Sequence, residues 1–243
     1  MADIWTALQQ RRRRAGGAPV VTFIDAEGSR AELSATTLEN AAAKIANALA
    51  DEFDLAEGDR VGLRLPTHWQ RSAWLAGVWA AGCEVCLDAD GSDAVDLVVT
   101  TVAELASGGA FDGSPGTIVV VSLHPLGLPV TEPLPAGVVD ATVVVRSQPD
   151  AFLGTPPSPS AAALRTGEGP LTQEQLLELA VARAGAWGLE PGGRLLVGPD
   201  VDGPDGWLAA LAVPLAVDAS VVLVAGDHDL QRIAEQEKVT AAC

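Results

Sequence analysis

Cysteine occurs at only three positions, 83, 86 and 243, too few and too irregularly spaced for a disulfide framework, which fits a reducing compartment. Cys83-Glu84-Val85-Cys86 has CxxC spacing, but it follows a helical pattern and enters an apolar strand, whereas a redox thiolate acquires its low pKa at a helix amino terminus. Zinc would need two further ligands, and with no second CxxC and no HxxxH no metal is expected. A Gly-x-Ser-x-Gly elbow is missing, which argues against a serine hydrolase, and no Gly-x-Gly-x-x-Gly follows a strand to hold a dinucleotide. No apolar run reaches the length of a membrane span, and Met1 to Gln10 leads at once into Arg11-Arg12-Arg13-Arg14 rather than a hydrophobic leader. The expectation is a cytoplasmic protein with no membrane partner.

Lysine is almost absent, at 44 and 238 only, and 32 acidic residues face 15 basic ones for a formal charge of -17. Such a surface repels phosphate backbones and anionic headgroups, so nucleic acid is excluded as an expected partner. The one basic cluster, Arg11 to Arg14, reads as the solvated carboxyl end of a first helix, where cations suit the helix dipole.

What is present is regular. Residues 3–13 read as an amphipathic helix, and 20–24 and 30–33 as strands about a turn at Ala26-Glu27-Gly28-Ser29. Thr36 or Thr37 is expected to cap a helix to about Glu52, with Leu38, Ala42, Ile45 and Leu49 on one face. A strand over 60–65 ends at Pro66, and a helix from about His68 to Ala81 carries Trp69, Trp74 and Trp79. The spacing of the last two does not fit one stripe, so one or two of the three are expected to bury well. Apolar runs at 84–87, 95–100, 117–121 and 141–145 lack polar alternation, the pattern of strands buried on both faces of a parallel sheet. After a Pro, Ser and Ala stretch at 154–163, the order resumes: helix 172–187, strand 194–197, helix 206–217 with Asp205 as a cap, strand 220–224, helix 230–237 behind Asp227-His228-Asp229, and a last strand from Val239. The fold class is therefore α/β: two stacked lobes with mostly parallel sheets flanked by helices, residues 1–153 and 164–243 on either side of a linker. The chain stops at Cys243 as a strand begins, which reads as a shortened architecture.

Several of these segments occur in a familiar order. Gly58-Asp59-Arg60-Val61, then Leu65-Pro66-Thr67, then Leu75-Ala76-Gly77-Val78-Trp79-Ala80-Ala81-Gly82 before Val85 and Leu87 resemble the amino-terminal, AMP-binding part of adenylate-forming enzymes, the acyl-CoA synthetase and luciferase-like superfamily. Cys86-Leu87-Asp88 departs from the Pro-Leu-Asp-like turn at that point. Gly169-Pro170-Leu171-Thr172, Leu189 to Leu196, Gly206 to Leu215 with Ala219 to Val224, and Glu237-Lys238-Val239-Thr240 continue the resemblance. It implies the fold of a reduced acyl-CoA synthetase-like domain.

The chemistry of that family needs a loop of Ser/Thr, Ser, Gly, Thr, Thr, Gly, any residue, Pro, Lys, Gly to hold the triphosphate. The matching stretch, Leu164-Arg165-Thr166-Gly167-Glu168-Gly169-Pro170-Leu171, is shorter, has no Lys and carries Glu168, whose charge opposes phosphate. The family's magnesium-binding Glu, ribose-binding Asp and catalytic Lys fall beyond Cys243. The resemblance thus implies no catalytic residue, no cofactor and a noncatalytic module that binds a small anionic ligand or a protein partner, with self-association left open. Arg165, Thr166 and Gly167 are the anion-binding remnant, in a groove between the lobes, where ATP or AMP binding is the point to test. The alternative is a component of an acyl-activating enzyme completed by a separate polypeptide. His124, in Ser122-Leu123-His124-Pro125 beyond a strand's carboxyl end, is a further ligand-site candidate, against the plainer reading of a turn imidazole. Asp200 to Gly206 lacks the spacing of a calcium loop.

Overall fold

The computed structural model describes residues 3–87, 94–107, 116–124, 127–201 and 203–243, so Asp88, Pro125 and Asp202 lie outside the described residues. Helix α1 (Ile4–Ala15) starts at Asp3, whose carboxylate accepts the Thr6 N–H at 2.7 Å. Its basic end is not simply solvated. Arg11 and Arg14 both pair with Asp218, at 2.9 and 3.0 Å, and Arg12 pairs with Glu39. Strands β1 (Pro19–Ile24) and β2 (Arg30–Ser34) form an antiparallel hairpin, its turn closed by Asp25 Oδ1, which accepts from the Glu27 and Ser29 N–H groups. Helix α2 (Ala35–Asp51) is capped by Ser34 rather than Thr36 or Thr37, because the Thr37 N–H donates to Ser34 Oγ.

A seven-stranded sheet follows, built from β3 (Arg60–Leu63), β4 (Glu84–Cys86), β5 (Leu97–Thr100), β6 (Thr117–Val120), β7 (Val138–Asp140), β8 (Ala162–Thr166) and β9 (Gly169–Thr172). Its order is β7-β6-β5-β3-β4-β8-β9, parallel except for the β8–β9 hairpin. Helices α3 (Trp69–Ala80), α4 (Val102–Ala106), α5 (Ala141–Arg146) and α6 (Gln173–Ala186) belong to this stretch. The rest of the chain supplies β10 (Arg194–Val197), α7 (Gly203–Ala210), α8 (Ala212–Ala216), β11 (Ser220–Val224), α9 (Leu230–Gln236) and β12 (Ala241–Ala242). These strands make a five-stranded sheet, β12-β10-β11-β1-β2, parallel except at β1–β2. No helix among the described residues is long and apolar enough to cross a membrane.

Three further expectations differ. Residues 141–145 form α5 rather than a strand, since the Asp140 carboxylate accepts the Thr142 N–H at 2.8 Å and starts a helix despite the run of β-branched valines. Asp205 lies inside the first turn of α7 instead of capping it, and pairs with Arg183 at 2.8 Å. The stretch 154–163 does not divide the sheets. The β1–β2 hairpin from the first part completes the sheet of β10 to β12, and β8–β9 joins the sheet of β3 to β7, over one continuous core containing Val21, Val61, Leu97, Leu195 and Val221.

Helix α3 is the axle of that core. It is buried from Arg71 to Ala80, so Trp74 and Trp79 are both covered, at 2% and 1% exposure, although they face different directions. A helix enclosed all round has no need of a single apolar stripe. Ser72 Oγ donates to the Ala210 carbonyl at 2.8 Å and Trp79 Nε1 to the Ala163 carbonyl at 2.8 Å, so α3 ties α7 of one sheet layer to β8 of the other. It also packs closely on α2. A Cβ at Gly77 would stand 2.5 Å from Ile45 Cβ and 3.2 Å from the Ala42 carbonyl oxygen.

Candidate functional site

In parallel sheets ligands bind beyond the strand carboxyl ends, where the chain order reverses and a crevice opens. In the seven-stranded sheet the order reverses at β3: β4 lies on one side of it and the next strand, β5, on the other. In the five-stranded sheet it reverses at β10, with β11 on one side and β12 on the other. The two reversal points meet at a single cleft of about 510 Å3, lined by Leu63 at the end of β3 and Arg64 after it, Pro199 after β10, Ala225 after β11, and Trp207 of α7. That volume lies in the range of small-molecule sites, about 300–1,000 Å3.

The cleft carries opposed charges. Arg64 and Arg71 supply guanidinium groups, and Glu104 of α4 a carboxylate. Arg71 is buried at 5% exposure, with its guanidinium carbon 4.3 Å from the centroid of the Trp207 ring. Its Nε and Nη2 donate to the Leu65 carbonyl at 3.1 and 2.7 Å, which holds the turn Leu65-Pro66-Thr67 against α3. A fixed guanidinium over an indole face, beside an open volume, suits a small organic anion with an apolar body.

The residues expected from the loop motif are placed elsewhere. Arg165 and Thr166 end β8, and the turn to β9 closes on itself: the Thr166 hydroxyl donates to the Gly169 carbonyl at 2.8 Å and accepts the Glu168 N–H at 3.3 Å. Arg165 Nη2 lies 3.0 Å from Glu84 Oε2, and Arg60 Nε reaches the same oxygen at 3.2 Å. Glu84 is 2% exposed, so a buried carboxylate sits between two arginines and Arg165 serves it. None of Arg165, Thr166 and Gly167 is among the described residues lining the cleft. His124 lines a different cavity of about 360 Å3, with Ser122, Thr101 and Glu132. The structure therefore does not bring His124 and Arg165 together.

Arg64, Arg71 and Trp207 were not singled out from the sequence. The signal that could have found them is the step from strand to helix at Leu65-Pro66-Thr67, a carboxyl end followed by an arginine in the first turn of an apolar helix. His68 is the α3 N-cap itself, its Nδ1 accepting the Gln70 N–H at 3.1 Å. Burial pushes the Cys83 thiol up to about 12, which keeps it protonated and unreactive. Among the described residues no three His, Cys, Asp or Glu side chains group as a metal site.

No family model matches the chain. Its fold is that of the amino-terminal domain of adenylate-forming enzymes. It aligns with an acyl-CoA synthetase from Brucella canis at a TM-score of 0.80 and 21% identity, over 97% of this chain and 46% of that one. With acetoacetyl-CoA synthetase from Streptomyces lividans the TM-score is 0.74 at 19% identity, over 98% and 41%. With the nonribosomal peptide synthetase FmoA3 it is 0.67 at 21%, over 98% and 25%. The chain thus spans less than half the length of each of these solved structures. In sequence, a Mycobacterium tuberculosis protein described as a TIGR03089 family protein is 38% identical over 229 residues, 92% of this chain and 90% of the relative. On that likeness across nearly the whole of both proteins, the chain belongs to the TIGR03089 family.

Proposed function

We propose that the chain is a noncatalytic relative of the adenylate-forming enzymes that binds a small organic anion in the cleft between its sheets and does not by itself adenylate a carboxylate. The observation that carries this reading is the meeting of both chain-order reversals on one cleft that holds Arg64 and Arg71 beside the Trp207 face. The hairpin at 165–169 supports the second half: it has no lysine, and its arginine is engaged by Glu84. Two of the structural neighbours are named as acyl-CoA and acetoacetyl-CoA synthetases, which makes short carboxylates the first ligands to try.

Calorimetry tests it, titrating short and medium-chain carboxylates, AMP and Mg·ATP at low salt. Saturable binding of a carboxylate, weakened about ten-fold or more by Arg64→Gln, is the expected result, since a hydrogen bond to a charged group is worth about 1.5–3 kcal/mol. Affinity unchanged in that variant would remove the cleft as the site. The second reading, a component completed by a separate polypeptide, draws on the 46% share of the acyl-CoA synthetase that the chain matches. Tight Mg·ATP binding by the chain alone would favour it over the first.

A further inference from the structure

A separate cavity of about 360 Å3 lies between the β1–β2 hairpin and the first turn of α3, and shares Pro66, Thr67 and Ala225 with the cleft. Three rings line it: Phe23 of β1, His68 at the α3 N-cap and Trp69, the first residue of that helix. They follow one another, Phe23 to His68 at 4.5 Å between centroids and His68 to Trp69 at 5.4 Å. Phe23 and His68 are 6% and 5% exposed while Trp69 is only partly buried, so the indole is the ring most open to a ligand. Burial lowers the His68 pKa to about 4, which leaves the imidazole neutral and this wall without charge.

The side formed by the hairpin is acidic. Arg30 lines it, but its guanidinium is answered by Glu237 at 2.7 Å and by Glu32. Asp25 Oδ1 accepts from the Glu27 and Ser29 N–H groups, and the charge of Asp25 is felt across the cavity at His68. Glu27 gives its N–H to that turn, while its carboxylate makes no hydrogen bond or ion pair among the described residues. An anion here would meet Asp25 and Glu27, and a bare metal ion would exchange its water for rings, which are poor ligands beside oxygen. Aromatic rings attract a cation by their negative faces, more strongly as water is excluded. A cation with an apolar surface satisfies both sides at once.

We propose that this cavity binds an alkylated ammonium ion, its alkyl groups against the rings of Trp69, Phe23 and His68 and its charge toward Glu27 and Asp25. The site goes beyond the anion reading of the cleft and uses neither Arg64 nor Arg71.

The test uses choline and the neutral alcohol in which carbon replaces its nitrogen, two molecules of the same shape that differ in charge. Both are titrated near neutral pH and low salt by calorimetry, and their methyl resonances are followed by NMR. The expected result is saturable binding of choline about ten-fold tighter than the alcohol, with the choline methyl signal moving upfield as it enters the shielding region of the rings. Glu27→Gln, at an exposed turn, is expected to lower choline affinity about three-fold and to leave the alcohol unchanged. Glu178→Gln, on the exposed face of α6, removes the same charge from elsewhere on the surface and is expected to change neither. Equal binding of choline and alcohol overturns the proposal, as does choline affinity unchanged in Glu27→Gln. An equal loss in Glu27→Gln and Glu178→Gln assigns the binding to the general acidity of the chain and overturns it too. A choline methyl signal that does not move upfield removes the aromatic wall from the site, whatever the variants show.

Discussion

Arg71 and Trp207 meet across the boundary between the two sheet layers, the guanidinium carbon 4.3 Å from the indole centroid, while the same arginine grips the Leu65 carbonyl with two nitrogens. One side chain therefore fixes the turn after β3 to a helix that follows β10. Lysine cannot reproduce the flat stack and the forked donation together. Arg71→Lys is expected to lower stability by about 2 kcal/mol, and a double-mutant cycle with Trp207→Leu to give a coupling of about 1–2 kcal/mol, both read from urea unfolding. A coupling of zero would mean that the contact holds nothing together.

Glu84 makes a different prediction. Its carboxylate is enclosed by Arg60 and Arg165, and removing one partner of a buried pair leaves an uncompensated charge. Arg165→Glu sets two carboxylates side by side and is expected to cost about 3 kcal/mol, with Arg165→Met costing about 1–2 because the aliphatic stem still packs. Loss of anion affinity in Arg165→Glu would then report on folding, so Arg64 is the better probe of the proposed site. Thermal unfolding of Arg165→Glu at the wild-type temperature would refute the structural role.

Gly77 and Gly185 form a matched pair of helix glycines. Alanine is the better helix former at both by about 1 kcal/mol. At Gly77 the added methyl would collide with Ile45, whereas at Gly185 a Cβ meets nothing within 4 Å. Gly77→Ala is expected to destabilise by about 2 kcal/mol and Gly185→Ala to stabilise by about 0.5–1 kcal/mol. Chemical denaturation of the two variants side by side checks the sign of each, and the same sign in both would contradict the α2–α3 packing described above.

His68 gives the fold a pH dependence. Burial lowers its pKa from 6.5 to about 4, against the opposing influences of the Leu123 backbone and Asp25. The unfolded chain therefore takes up the proton first as the pH falls, and stability present above about pH 6.5 is lost down to about pH 4, with a limiting slope of about 1.4 kcal/mol per unit. Glu237, held below the usual carboxylate range first by its hydrogen bond from Arg30, adds loss in the same direction at the acid end. His68→Asn keeps a capping acceptor for the Gln70 N–H and is expected to flatten the slope between pH 6 and 5. Parallel slopes in wild type and variant would exclude His68 as the source.

Local pattern carried much of the fold. The apolar spacing of Leu38, Ala42, Ile45 and Leu49 marks α2, and the unalternated runs at 97–100, 117–120 and 220–224 lie in parallel strands as their composition suggests. What local pattern could not carry is pairing across the sequence. Ala162-Ala163-Leu164-Arg165-Thr166 has little β-branched or aromatic bulk and becomes a strand because Leu164 pairs with Val85 of β4. Residues 141–145 erred the opposite way, valines favouring a strand until the Asp140 cap set a helix. The site suffered for the same reason. Arg165 stood out by its place in a motif, but its partner Glu84 is distant in sequence, and Arg71 resembles any polar helix residue until Trp207 arrives from the other layer.

The interleaving of the two sheets sets an order of assembly during synthesis. All strands of the seven-stranded sheet, β3 to β9, are contiguous in the chain, so they can pair while translation continues. The β1–β2 hairpin leaves the ribosome before them, yet the parallel neighbour of β1, aligned Val21 to Val221, is made only after that whole sheet. Throughout the interval β1 carries an open edge with Val20, Val21 and Phe23 awaiting cover, the kind of edge that recruits a stranger's strand. A pause between residues 172 and 220 prolongs that exposure, which makes the tempo of elongation there a determinant of how much chain reaches the folded state.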